Sequence, residues 1–95
     1  MSDRETKKND PVLPRTPVET LIFDIWQELL KREDFGIDDD FFAVGGHSLL
    51  VMQLTFRIEE ETGLAFSNLD VFANPTIRRL AEMVFARLLE EEGAA

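Results

Sequence analysis

Val18, Leu21, Ile22, Ile25, Trp26, Leu29 and Leu30 recur at steps of three and four, the spacing that gathers side chains on one face of a helix. Just ahead of this stripe, Thr16 suits the N-cap, Pro17 the first helical position, and Glu19 completes a capping box. The spacing predicts an amphipathic helix of about four turns. It is expected to stop near Arg32, with Lys31 and Arg32 complementing the negative end of its dipole. A second stripe opens at or just after Ser48, with Leu50, Leu54 and Ile58 facing inward and Val51 and Thr55 beside them. Glu59, Glu60 and Glu61 follow, then Gly63 as a left-handed C′ residue and Leu64 as its apolar contact. A third stripe, Ile77, Leu80, Ala81, Val84 and Leu88, begins behind Thr76 as N-cap and has Gly93 beyond its end. Between the last two, Ser67 as N-cap, Asp70 in the first turn and Pro75 as a limit leave room for a short, partly 3₁₀ helix. No segment reads as a strand of comparable quality. The expected fold is all-α: a small antiparallel four-helix bundle of three main helices and one short one.

Two stretches lie outside this periodicity. Residues 1–15 hold little that is apolar apart from Val12 and Leu13, and they carry Pro11 and Pro14. They read as a disordered arm or linker leading into a domain at 16–92. Residues 33–47, EDFGIDDDFFAVGGH, form a long acidic and glycine-containing connection, and a connection of that length in a small domain is often functional. Phe35, Ile37, Phe41, Phe42 and Val44 are expected to pin it to the core; Trp26 and Phe72 are likewise read as core.

Composition removes several classes of function. A chain of 95 residues has little material for both a core and an enclosing pocket. Its net charge of −9 opposes binding to nucleic acid and to anionic membrane surfaces. With no cysteine and one histidine, disulfides and thiolate metal sites are excluded and a zinc site is disfavoured. Asp38-Asp39-Asp40 fails the EF-hand spacing at Phe42 and reads as a solvated turn. Arg57, Arg78 and Arg79 read as ordinary solvent-facing charges. The charged N-terminus lacks the apolar core of a signal peptide and no apolar run approaches membrane-spanning length, so the expectation is a cytoplasmic monomer.

The chemistry concentrates in FFAVGGHSLL, residues 41–50. A serine nucleophile elbow needs G-x-S-x-G between a strand and a helix, but here Leu50 stands where the second glycine belongs. His47 is adjacent in sequence to Ser48 and so badly placed as its base, and the chain has no other histidine. The plainest remaining reading makes Ser48 an N-cap approached through two flexible glycines. That reading leaves Leu49 and Met52 at the rim or outside the bundle, apolar side chains beside a serine at a helix start, as a docking site would have. A helix N-terminus also accommodates a phosphate group.

DDDFFAVGGHSLLVMQLTFRI resembles the core motif of the thiolation, or peptidyl carrier, domains of nonribosomal peptide synthetases. DVFANPTIRRLAEMV resembles that family's short third helix and the start of its fourth, and LPRTPVE its upstream linker. The resemblance spans about residues 13–90. It implies a carrier that performs no chemistry of its own and bears 4′-phosphopantetheine, delivered from coenzyme A by a phosphopantetheinyl transferase, on Ser48. The terminal thiol would hold an aminoacyl or peptidyl group as a thioester. Implied partners are the transferase and adenylation, condensation and thioesterase-type or tailoring enzymes. Candidate partner contacts are His47, Leu49, Met52 and Val71. Histidine rather than aspartate before the serine favours the peptide-synthetase branch over acyl carriers of polyketide or fatty-acid synthesis. From another class, an unmodified helical adaptor remains the competing reading.

Overall fold

A computed structural model describes residues 11–94 of the chain. The part of the expected arm at residues 1–10 lies outside the described residues. The elements are α1 (Pro17–Leu30), α2 (Ser48–Thr62), α3 (Asn68–Ala73) and α4 (Ile77–Ala94), and the described residues contain no strand. Helix α1 packs against both α2 and α4, and α3 packs against α2.

The predicted stripes build the core. Ile22, Ile25 and Trp26 of α1 meet Val51, Leu54 and Ile58 of α2 and Ile77, Leu80 and Val84 of α4, all buried. On α2 the inward face is rotated slightly from the expected one: Val51 and Thr55 are fully part of it, while Leu50 is only half-buried.

Capping follows the sequence, with differences of detail. Thr16 Oγ1 accepts a hydrogen bond from Glu19 N at 3.1 Å, but the Glu19 carboxylate accepts from Arg15 N at 2.8 Å instead of closing the box on Thr16. Arg15 adds two guanidinium bonds to the same carboxylate, and this partner holds the buried Glu19 below the usual glutamate range. Helix α1 stops at Leu30, two residues early, because Lys31 turns into the left-handed region at φ 57°. Gly63 caps α2 at φ 75°, and Leu64 behind it is buried, as expected. Thr76 Oγ1 caps α4 through Arg79 N at 3.2 Å. That helix continues through Gly93 rather than ending before it, and α3 is α-helical rather than partly 3₁₀.

The long connection is as tightly bound as the helices. Phe35, Ile37 and Phe41 are fully buried, with the Phe35 and Phe41 rings 5.7 and 4.9 Å from Trp26. Phe41 N donates to Pro75 O at 2.7 Å and Arg78 N to Ile37 O at 2.9 Å, so the junction of α3 and α4 holds the loop. Arg78 also clamps Asp38 through two bonds of 2.6 and 2.8 Å, and Arg57 pairs with Glu28 at 2.6 Å; neither arginine is a free surface charge. Asp39 accepts from Gly36 N and Asp40 from Phe42 N, so the acidic run folds its own turn. Ile37 N donates to Val12 O at 2.8 Å. The end of the arm, expected to be disordered, is thereby joined to the loop.

Candidate functional site

Gly45 and Gly46 aim the chain from this loop into α2. Gly45 has φ +117°, a conformation that side chains with a Cβ rarely adopt. Gly46 serves by its lack of a side chain: a Cβ there would lie 2.3 Å from the Phe41 ring. The backbone is held over that ring by a bond of 2.8 Å from Gly46 N to Phe41 O. Phe41 is itself fixed against Trp26, so a chain of close contacts runs from the core to the start of α2.

At that start the N-cap is His47, extended at φ −156° and ψ 179°, with no side-chain capping bond. Ser48 is the first helical residue rather than the cap, which corrects the plainest reading of the sequence. Its side chain is exposed and its hydroxyl makes no hydrogen bond to any described residue. The first helical bond runs from Val51 N to His47 O, which leaves the N–H groups of Ser48, Leu49 and Leu50 without helical acceptors. An unengaged hydroxyl thus stands beside free N–H donors at the positive end of a 15-residue helix. A phosphodiester fits this place: the oxygen is accessible, no cap is lost when it is esterified, and the donors face negative charge. Among the described residues no cluster of His, Asp or Glu is arranged to hold a metal ion.

Of the predicted partner residues, His47 is exposed, and Leu49 and Met52 are 58% and 56% exposed. Leu49 and Met52 line a groove of about 370 Å³ with Leu29, Gln53, Phe56 and Arg57. Val71 does not belong with them: it is completely buried in the core, while Leu69 and Phe72, three residues apart on the same short helix, face outward. Phe42 and Phe72, both expected in the core, are exposed instead, Phe72 by 50%. The two rings stack at 5.4 Å with an interplanar angle of 3°, and Phe42 also meets Phe41 edge-on. Phe56 joins the groove without any motif to mark it, although Leu49, Met52 and Phe56 form a second stripe at helical spacing that points away from the buried one.

Residues 20–84 match the phosphopantetheine attachment site family, and the chain belongs to it. A dimodular nonribosomal peptide synthase of Bacillus subtilis (strain 168) is 48% identical over 69 residues, which are 73% of this chain and 3% of that protein. Among solved structures, the peptidyl carrier protein in complex with the transferase Sfp and coenzyme A is 35% identical with a TM-score of 0.76, covering 79% of this chain and 97% of that one. A docking-domain complex of the Pax nonribosomal peptide synthetase is 38% identical with a TM-score of 0.81, covering 87% of this chain and 80% of that one. Within the family, this chain is a peptidyl carrier, or thiolation, domain.

Proposed function

We propose that Ser48 is the attachment residue and that the domain, without catalysis of its own, presents aminoacyl or peptidyl groups to successive enzymes. The observation that carries this is the exposed Ser48 hydroxyl, free of any hydrogen bond among the described residues, at the first position of α2. In the transfer, Ser48 Oγ replaces the adenosine-side phosphate on the phosphopantetheinyl phosphorus of coenzyme A. Its proton passes to a base of the transferase, and adenosine 3′,5′-bisphosphate departs. The arm, once bound, supplies a thiol that this cysteine-free chain lacks and that holds acyl groups as thioesters. The chain's own residues contribute position: Gly46 and Phe41 fix where Ser48 stands, and the free N–H groups of α2 favour the phosphodiester charge.

His47, Leu49 and Met52 are the contacts offered to the transferase and to adenylation, condensation and thioesterase-type or tailoring enzymes. Exposed apolar side chains flanking the attachment point support this, since they bury area whenever a partner closes over Ser48. The likeness to a carrier solved with a transferase supports the first partner. The reading places the protein in the cytoplasm, with the coenzyme A that the transfer consumes, as a monomer in an arm-and-domain arrangement with the carrier unit at 16–92.

Intact-mass measurement after incubating the chain with coenzyme A and a broad-specificity transferase tests the assignment. One phosphopantetheinyl group is expected on the wild type and none on Ser48→Ala. No gain on the wild type, or a gain that survives the substitution, overturns it. Loading of the modified protein by adenylation enzymes rather than from malonyl or acyl donors is the expected outcome for the peptidyl branch.

A further inference from the structure

A second apolar groove lies away from Ser48. It has a volume of about 530 Å³ and runs between the first turn of α1 and the outer face of α4. Val18 and Ala81 line its depth, and Phe85 and Leu89, 54% and 53% exposed, stand along it. Helix α1 separates it from the attachment site: the groove uses Thr16–Glu19, whereas Leu30 is the residue beside Gly45, about 20 Å further along the helix. A partner engaged here leaves the Ser48 face open.

Charge defines the kind of occupant. Glu82 and Glu92 flank the groove, both exposed, and neither pairs with a cation among the described residues. They are ten residues apart on one helix, about 15 Å along its axis. A second copy of this chain is a poor occupant, because each copy carries a net charge of −9 and the rim carboxylates would be brought together. The chain's own residues 1–10 are no better, since Met1 is their only apolar side chain. We propose that this groove docks an amphipathic helix of another protein, with a leucine-like ridge seated against Phe85 and Leu89 and Lys or Arg residues about three turns apart meeting Glu82 and Glu92. The carrier then has two faces: one presents Ser48 and the other tethers it.

The probe is a helical peptide of about five turns with leucines at i, i+3, i+4 and i+7 and lysines elsewhere. A matched peptide carries glutamates in place of the lysines. Titrated into the ¹⁵N-labelled full chain, the lysine peptide is expected to shift amides of Val18, Ala81, Phe85 and Leu89, with weaker binding as salt rises. Affinity is expected to fall at least tenfold in Phe85→Ser/Leu89→Ser and in Glu82→Lys/Glu92→Lys, and to be unchanged in Leu49→Ser. Both groove variants substitute exposed residues, and their amide spectra before titration show whether the fold is intact. Absence of binding, equal binding of the glutamate peptide, shifts centred on Leu49 and Met52, or unchanged affinity in the folded groove variants overturns the proposal. So does sedimentation showing that the free chain dimerises through Phe85, which identifies the occupant as a second copy. None of these outcomes depends on modification of Ser48, so they stand apart from the test of the attachment site.

Discussion

Ser48→Ala and Thr16→Ala look like equivalent losses of a hydroxyl at a helix start, yet the two hydroxyls have different work. Thr16 Oγ1 satisfies the N–H of Glu19, and its removal is expected to lower stability by about 1 kcal/mol. Ser48 caps nothing, so its alanine variant is expected to stay within about 0.5 kcal/mol of the wild type while losing modification entirely. Urea unfolding of both variants measures the contrast, and a Ser48→Ala loss as large as that of Thr16→Ala would show a capping role. Gly46→Ala probes the neighbouring contact. Its methyl meets the Phe41 ring and backbone, both anchored, so the loop must move and stability is expected to drop by about 1–3 kcal/mol. Modification by the transferase should slow as Ser48 shifts. The motif around Ser48 was legible in the sequence, and so was the exposure of Leu49 and Met52. The cap assignment was not, because it turns on the extended backbone of His47, which no side-chain pattern records.

Helix α3 has six residues and little area of its own, so polar ties fix its place. Arg87 reaches from α4 to the Asp70 carboxylate with bonds of 3.0 and 3.1 Å, donates to Ala65 O, and lies 5.7 Å over the Phe66 ring. Ser67 N donates to the same carboxylate at 2.9 Å. The Arg87 partner holds Asp70 below its ordinary value of 3.8, outweighing burial. A carboxyl whose folded value is depressed stabilises fully above its unfolded value and loses that contribution as pH falls through the folded one. The stability difference between wild type and Asp70→Asn is therefore expected to be constant near neutrality and to close as pH falls below 3.8. Denaturant unfolding of both proteins at matched pH values checks this, since the other acids titrate alike in the two chains. The element was legible in the sequence as Ser67, Asp70 and Pro75. Which of its apolar residues turn inward was not: Val71 is core and Phe72 stacks outside on Phe42, a pairing across the fold that α3 alone gives no sign of.

For the molecule as a whole, the question is whether the connection between α1 and α2 is an appendage of the bundle or part of its cooperative unit. Phe35, Ile37 and Phe41 are as buried as any helical residue, and the Phe35 and Phe41 rings pack on Trp26, the only tryptophan. Backbone bonds from Phe41 to Pro75, Arg78 to Ile37 and Ile37 to Val12 tie the loop to both the α3–α4 junction and the chain entering α1. A segment held this way cannot open without exposing the centre of the core, so loop and helices should unfold together. Trp26 fluorescence, which reports the loop's packing, and far-ultraviolet circular dichroism, which reports the helices, are expected to give one urea transition. Phe41→Ala is expected to remove about 3–5 kcal/mol, since the surrounding rings cannot close the cavity. A domain of this size has roughly 5–10 kcal/mol in total, so the variant should be strongly destabilised and partly unfolded. Its Trp26 emission should move to the red and its helical signal fall in the same proportion. Two separated transitions in the wild type, or a Phe41→Ala variant that keeps full helicity with an exposed tryptophan, would show instead that the bundle stands without its loop. In a cooperative domain, Ser48 takes its position from the entire core rather than from the glycines alone.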